Sequence, residues 1–161
     1  MRLRLSNSRH RRALTRHSLS FFVERAVSPR IYAGLYVEVR FIDGLHESTG
    51  MLAGTTWTDD NVRPREFDIE IDGDLEGKPL LRALSHEAAH IRQYAHGHLV
   101  DMVRKHDKVK WRGELYDREL MRNEHRHLAP WEREANRLEC SLVWEYLRTH
   151  GRWWDESRVL G

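Results

Sequence analysis

The chain has 161 residues and a mass of 19.2 kDa, and at 40% hydrophobic and 9% aromatic it suits one domain with a buried core and is too short for a second. Lys+Arg 27 against Asp+Glu 25 leaves a formal charge of +2, so net charge makes no case for a nucleic-acid binder, and no run of about 20 apolar residues is present to span a bilayer. Cys140 is the only cysteine, which excludes an internal disulfide, a finger-type zinc site and a redox pair; its apolar helical neighbourhood predicts a small core residue. With no secretory pattern, a soluble cytoplasmic protein is expected.

Six arginines (Arg2, Arg4, Arg9, Arg11, Arg12, Arg16) and two histidines precede any acid, so residues 1–14 read as a basic arm, solvated or touching an acidic partner such as nucleic acid. The composition also fits a transit peptide, but Leu19 to Val23 continues it as part of a folded helix. That helix is expected from about Thr15 to Val27, ending at Ser28-Pro29. Leu35, Val37, Val39 and Phe41 then alternate with Tyr36, Glu38 and Arg40, a strand that closes at the turn pair Asp43-Gly44. Met51 to Trp57 is a less regular second strand. Phe67, Ile69 and Ile71 alternate with Asp68, Glu70 and Asp72 in a third, whose acidic row reads as a solvated face.

The next helix, from about Pro79 to Ala95, carries the sharpest chemical signal. Leu80, Leu84, Ala88, Ile91 and Ala95 form an apolar stripe with Gly97 beyond the end, while His86, His90 and Gln93 lie on the other side. Within it, His86-Glu87-Ala88-Ala89-His90 places two imidazoles four residues apart on one face, so both can reach one Zn²⁺ with Glu87 beside the metal's open position as general base. With 11 histidines in the chain the pattern alone is weak; its place on an apolar-flanked helix strengthens it. The charged segment from Val103 to His127 reads as loop with a short strand around Lys110-Trp111-Arg112. A final helix starts at Pro130 and runs to about Thr149, with Trp131, Ala135, Leu138 and Leu142 as its apolar face.

A catalytic zinc wants three protein ligands and an open position. Glu132, on the final helix, is one source of the third; Asn136, a turn later, would then hydrogen-bond a ligand imidazole. Glu134 competes, but it lies about 200° around the helix from Glu132, so the two cannot both bind one metal; either is equally a first-turn acid complementing the helix dipole. His96 offers the spacing HExxHxxQxxH, with Gln93 where a glycine would let the chain turn back toward the metal. His106, His125 and His127 remain as later candidates.

The string from His86 to Tyr94, then Trp111-Arg112-Gly113-Glu114-Leu115-Tyr116, then Pro130-Trp131-Glu132-Arg133-Glu134-Ala135, resembles small zincin-like metallopeptidases of phages and bacteria, over about Val37 to Leu147. Only HExxH is specific in that likeness. Gluzincins more widely carry Glu-x-x-Ala-Asp on the second helix, and Glu132 to Asn136 is similar to it with Asn for Asp, which implies Glu132 as ligand and Asn136 behind it. His106 lies nearest to the ligand spacing of the more distantly similar SprT-type proteases. The resemblance implies an α+β domain over residues 15–161, with a small, mostly antiparallel sheet packed on the motif helix and a second, C-terminal helix. It also implies peptide-bond hydrolysis by zinc-activated water, with Glu87 as base, Tyr116 (His125 and His127 behind it) as donor to the oxyanion, and the strand Glu66 to Asp72 holding substrate extended. Two other classes remain open: a zinc-binding phage or assembly protein without proteolysis, and a DNA-associated protease using the basic arm.

Overall fold

The computed structural model describes residues 1–7, 12–102, 107–121 and 126–159, the side chains of 126 and 152–159 apart. Its main sheet has four strands, β1 (Arg2–Ser6), β2 (Tyr36–Ile42), β3 (Ala53–Trp57) and β4 (Glu66–Asp72), in the order β1-β2-β4-β3. Alternation explains their faces. Leu3, Val37 and Phe67 lie in one row across the sheet, Leu5, Val39 and Ile69 in the next, and Phe41 opposes Ile71, giving one apolar face that is covered by helices. The other face is polar: Arg40 reaches from β2 to Asp68 at 2.9 Å and Glu70 at 3.4 Å, so the acidic row of β4 faces a neighbouring guanidinium.

Two expectations need correction. The sheet is not mostly antiparallel: β1, β2 and β4 run parallel, and only β3 is antiparallel to its neighbour. Parallel neighbours need long crossovers, and the 29 residues between Ser6 and Tyr36 supply one, filled by α1 (Arg12–Ala26) and α2 (Pro29–Gly34). The basic start is likewise not a free arm throughout, since Arg2-Leu3-Arg4-Leu5-Ser6 alternates with period two and forms the edge strand β1. The guanidinium of Arg16 donates to the Leu3 carbonyl at 3.2 Å and that of Arg12 to Leu5 at 3.3 Å, capping outward-facing backbone groups of that edge.

Ser28 and Pro29 stop α1 as expected and start α2, where Ser28 Oγ accepts from the Ile31 N–H at 3.4 Å. A short helix, α3 (Leu45–Thr49), occupies the segment after the Asp43-Gly44 turn. The motif helix α4 (Gly77–Ala95) buries its predicted stripe completely and ends in a two-bond cap: the Gly97 N–H donates to Tyr94 and that of His98 to Gln93, with Gly97 at φ +71°. Three short strands follow as an antiparallel meander, β5 (Leu99–Asp101), β6 (Lys108–Trp111) and β7 (Glu114–Asp117), with Arg112-Gly113 as the tight turn between the last two.

The last helix, α5 (Pro130–Val159), is broken at His150, which has non-helical backbone angles. It packs antiparallel on α4, as the pairs Arg82 with Glu139 and Gln93 with Trp131 show, and buries Trp131, Ala135, Leu142 and Tyr146. Cys140, expected in the core, is exposed, because it sits about 100° from the inward-facing Glu139. Among the described residues no helix is long and apolar enough to cross a membrane.

Ile69 is fully buried between the sheet and the helices. Ile69→Ala is expected to lower unfolding stability by about 2–5 kcal/mol, measurable by denaturant titration with an unchanged slope.

Candidate metal centre

Antiparallel packing of α4 on α5 sets the site. His86 and His90 rise from successive turns of α4, and Glu132 meets them from the first turn of α5. The Nε2 atoms of the two histidines are 3.1 Å apart; Glu132 Oε2 lies 3.2 Å from His86 Nε2, and its Oε1 lies 3.5 Å from His90 Nε2. These three form a metal-capable cluster among the described residues, with one donor atom from each within 4.8 Å of the others.

Hydrogen bonds behind the rings hold them in this pose. Gln93 Nε2 donates to the Trp131 carbonyl at 2.9 Å, which leaves Gln93 Oε1 to accept from His90 Nδ1 at 2.9 Å. On the other ring, His86 Nδ1 donates to Glu139 Oε2 at 3.3 Å, and Arg82 Nε donates to Glu139 Oε1 at 2.6 Å. Each ring therefore has an acceptor at Nδ1 and its Nε2 directed at the centre of the cluster, the orientation a metal ligand needs.

The electrostatics favour a cation here. Glu87, Glu132 and Glu139 are 2%, 6% and 7% exposed, so three buried carboxylates gather around the two imidazoles, and Arg82 is bonded to one of them, Glu139. Burial works against charge on His86, but the hydrogen bonds it donates to Glu132 and Glu139 and the nearby Glu87 charge outweigh it and push its pKa up to about 9. Burial also raises the Glu139 pKa, yet His86 and Arg82 hold it below the ordinary carboxylate value. Two imidazole nitrogens and a carboxylate oxygen, converging, are a donor set that can hold a metal ion.

Glu87 stands beside the pair, and its Oε2 accepts from Thr55 Oγ1 of β3 at 2.7 Å. A pocket of about 200 Å³ opens next to the cluster, bordered by His90, Glu132, Thr55, Thr56, Tyr94 and Trp131. No protein-family model, curated protein or solved structure matches this chain.

The other sequence candidates fall elsewhere. Glu134 points away from the cluster to Arg92 at 2.6 Å and Arg112 at 3.0 Å. Asn136 is exposed, and the contact expected from it belongs to Glu139: in antiparallel packing His86 lies between residues 132 and 139, two turns apart, rather than opposite 136. His96 closes α4, its Nδ1 donating to the Arg92 carbonyl and its ring stacked on His98, because the chain turns at Gly97 and not at Gln93. Tyr116 donates its hydroxyl to Glu114 at 3.0 Å, which raises its pKa, and lines a separate hollow with Lys108 and Leu120, so no contact supports it as the oxyanion donor. His127 is exposed, while His106 and His125 lie outside the described residues.

Three residues support the site in ways that ligand spacing does not show. Gln93 and Glu139 were within reach, at one turn from His90 and two turns from Glu132 on the same helical face. Thr55 carried no local signal, since its partner is 32 residues away.

Elemental analysis of protein purified without added metal is expected to find near-stoichiometric zinc, lost in His86→Ala and Glu132→Ala and kept in Glu134→Ala. Glu139→Gln is expected to weaken zinc affinity by about 10–100-fold, read by competition with a chromogenic chelator; an unchanged affinity would remove Glu139 from the site.

Proposed function

We propose that the protein is a zinc-dependent peptide-bond hydrolase of the zincin type, with His86, His90 and Glu132 holding the metal and Glu87 as general base. One observation carries the reading: the three converging donors lie beside a buried carboxylate that is itself held under a sheet edge. Bound zinc would supply an acidified water and a polarised scissile carbonyl.

The chain's own groups account for the rest of the chemistry. Glu87 accepts the proton from the attacking water and delivers it to the leaving amine. Its Oε2 is held by Thr55, which fixes the carboxylate plane and leaves Oε1 to carry the proton. Strand β4, expected to hold substrate, lies between β2 and β3 and has no free edge, so this role passes to β3. The Thr58 N–H donates to Glu66 and the Asp72 N–H to Leu52, so residues 52, 54, 56 and 58 pair inward and the backbone groups of Ala53, Thr55 and Trp57 face outward. An extended peptide added there gains backbone hydrogen bonds alongside Glu87. The opposite edge, β1, is the one covered by Arg12 and Arg16, and two of the arginines that suggested nucleic acid are thereby engaged within the fold.

Glu87→Gln is expected to retain zinc while lowering hydrolysis of a casein digest, followed by mass spectrometry, by about 100-fold or more. Zinc-loaded wild type that leaves the digest intact would defeat the proposal. Thr55→Val is expected to keep the metal and lower kcat about tenfold, with KM little changed.

A further inference from the structure

A second cavity, of about 570 Å³, adjoins the pocket at the metal cluster and shares Tyr94 and Leu99 with it. Its walls are apolar: Trp57 and Tyr94 lie with ring centroids 4.6 Å apart, and Pro64, Leu99 and Met102 complete them. Among the described lining residues four are charged, Asp60 and Asp101 against Arg63 and Lys110, so these walls are balanced in charge and favour neither an acid nor a base. Its chemistry suits a large uncharged side chain.

Strand geometry says where such a side chain comes from. Thr55 and Trp57 are two residues apart on β3, and both side chains face α4, one on Glu87 and the other on Tyr94. The step along the strand is about 7 Å. Residues directly opposite in paired strands put their side chains on the same face. A peptide paired with β3 therefore directs one side chain toward Glu87 and, two residues on, another toward the space under Trp57.

Resting on the hydrolase reading above, we propose that this cavity is a specificity subsite that accepts a large aromatic side chain of an extended peptide, two residues from the one opposite Thr55. An aromatic ring fills more of the space than an aliphatic chain does and meets the Trp57 and Tyr94 rings in the tilted or edge-on geometry that aromatic pairs favour. Alanine at that position leaves the walls uncovered.

The test uses zinc-loaded Glu87→Gln protein, so that no turnover is needed. Acetylated hexapeptides of alanine and threonine, each with one phenylalanine moved along the chain, are titrated by calorimetry. One position is expected at which phenylalanine tightens binding by about tenfold over alanine. Trp57→Ala should reduce that advantage to within about twofold. Because Trp57→Ala removes a packed ring, Val62→Asp provides the control: Val62 is 71% exposed at the cavity rim, and a charge there should reduce the same advantage with the fold intact. Peptides that bind equally well wherever the phenylalanine stands, or an advantage that survives both variants, would overturn the subsite while leaving the hydrolase reading in place. Zinc-loaded protein that binds none of the peptides would overturn both.

Discussion

The antiparallel contact between α4 and α5 is the constraint on which the site depends. Each helix taken alone places charge where it is costly: α4 carries Glu87 on a buried face and α5 carries Glu132 and Glu139 on its own. Brought together, the two faces place the His86 ring between Glu132 and Glu139, so that both acids of α5 have a partner and each ring has an orientation. Gln93 ties the arrangement to the backbone, because its amide joins His90 to the Trp131 carbonyl immediately before Glu132. A shift of α5 by one residue would rotate Glu132 by about 100° and break the cluster.

The sheet supplies what the helices lack, an edge strand, unpaired among the described residues, beside the buried Glu87. Its two edges are treated differently. Arginines from α1 cover outward carbonyls of β1, whereas β3 offers the outward groups of Ala53, Thr55 and Trp57 and also holds Glu87 through Thr55. A strand edge left open is a liability in solution unless something is meant to pair with it. The α4 face of β3 carries the supports for both pockets, the hydroxyl over Glu87 and the ring over Tyr94.

Much of this was legible locally. The apolar stripe of α4, the period-two alternation of β2 and β4, the stop at Ser28-Pro29 and the start at Pro130 were read in place, since each depends on neighbours within one or two turns. Strand β1 is legible too, as Arg-Leu-Arg-Leu, but its arginines are at once a charge run and the outer positions of a strand, and local sequence does not separate the two. Strand direction was not legible, because alternation is the same in parallel and antiparallel pairs. Tyr116 was chosen for its chemistry alone, and its hydroxyl binds Glu114 within its own strand.

The pairing of His86 and His90 was written in the chain, since i and i+4 spacing on a helix places them together wherever that helix lies. By itself the sequence narrowed the third member of the cluster to a few residues, among them Glu132 and Glu134, which helical geometry sets on opposite sides. Only the tertiary structure decided between those two, because which side of α5 meets α4 is settled by packing of Trp131, Ala135, Leu142 and Tyr146 against the core. The same packing put Glu139 in the place expected for Asn136, and sheet order brought Thr55 to Glu87 across 32 residues of chain. Contacts of that separation depend on how whole elements dock, and no local periodicity records it.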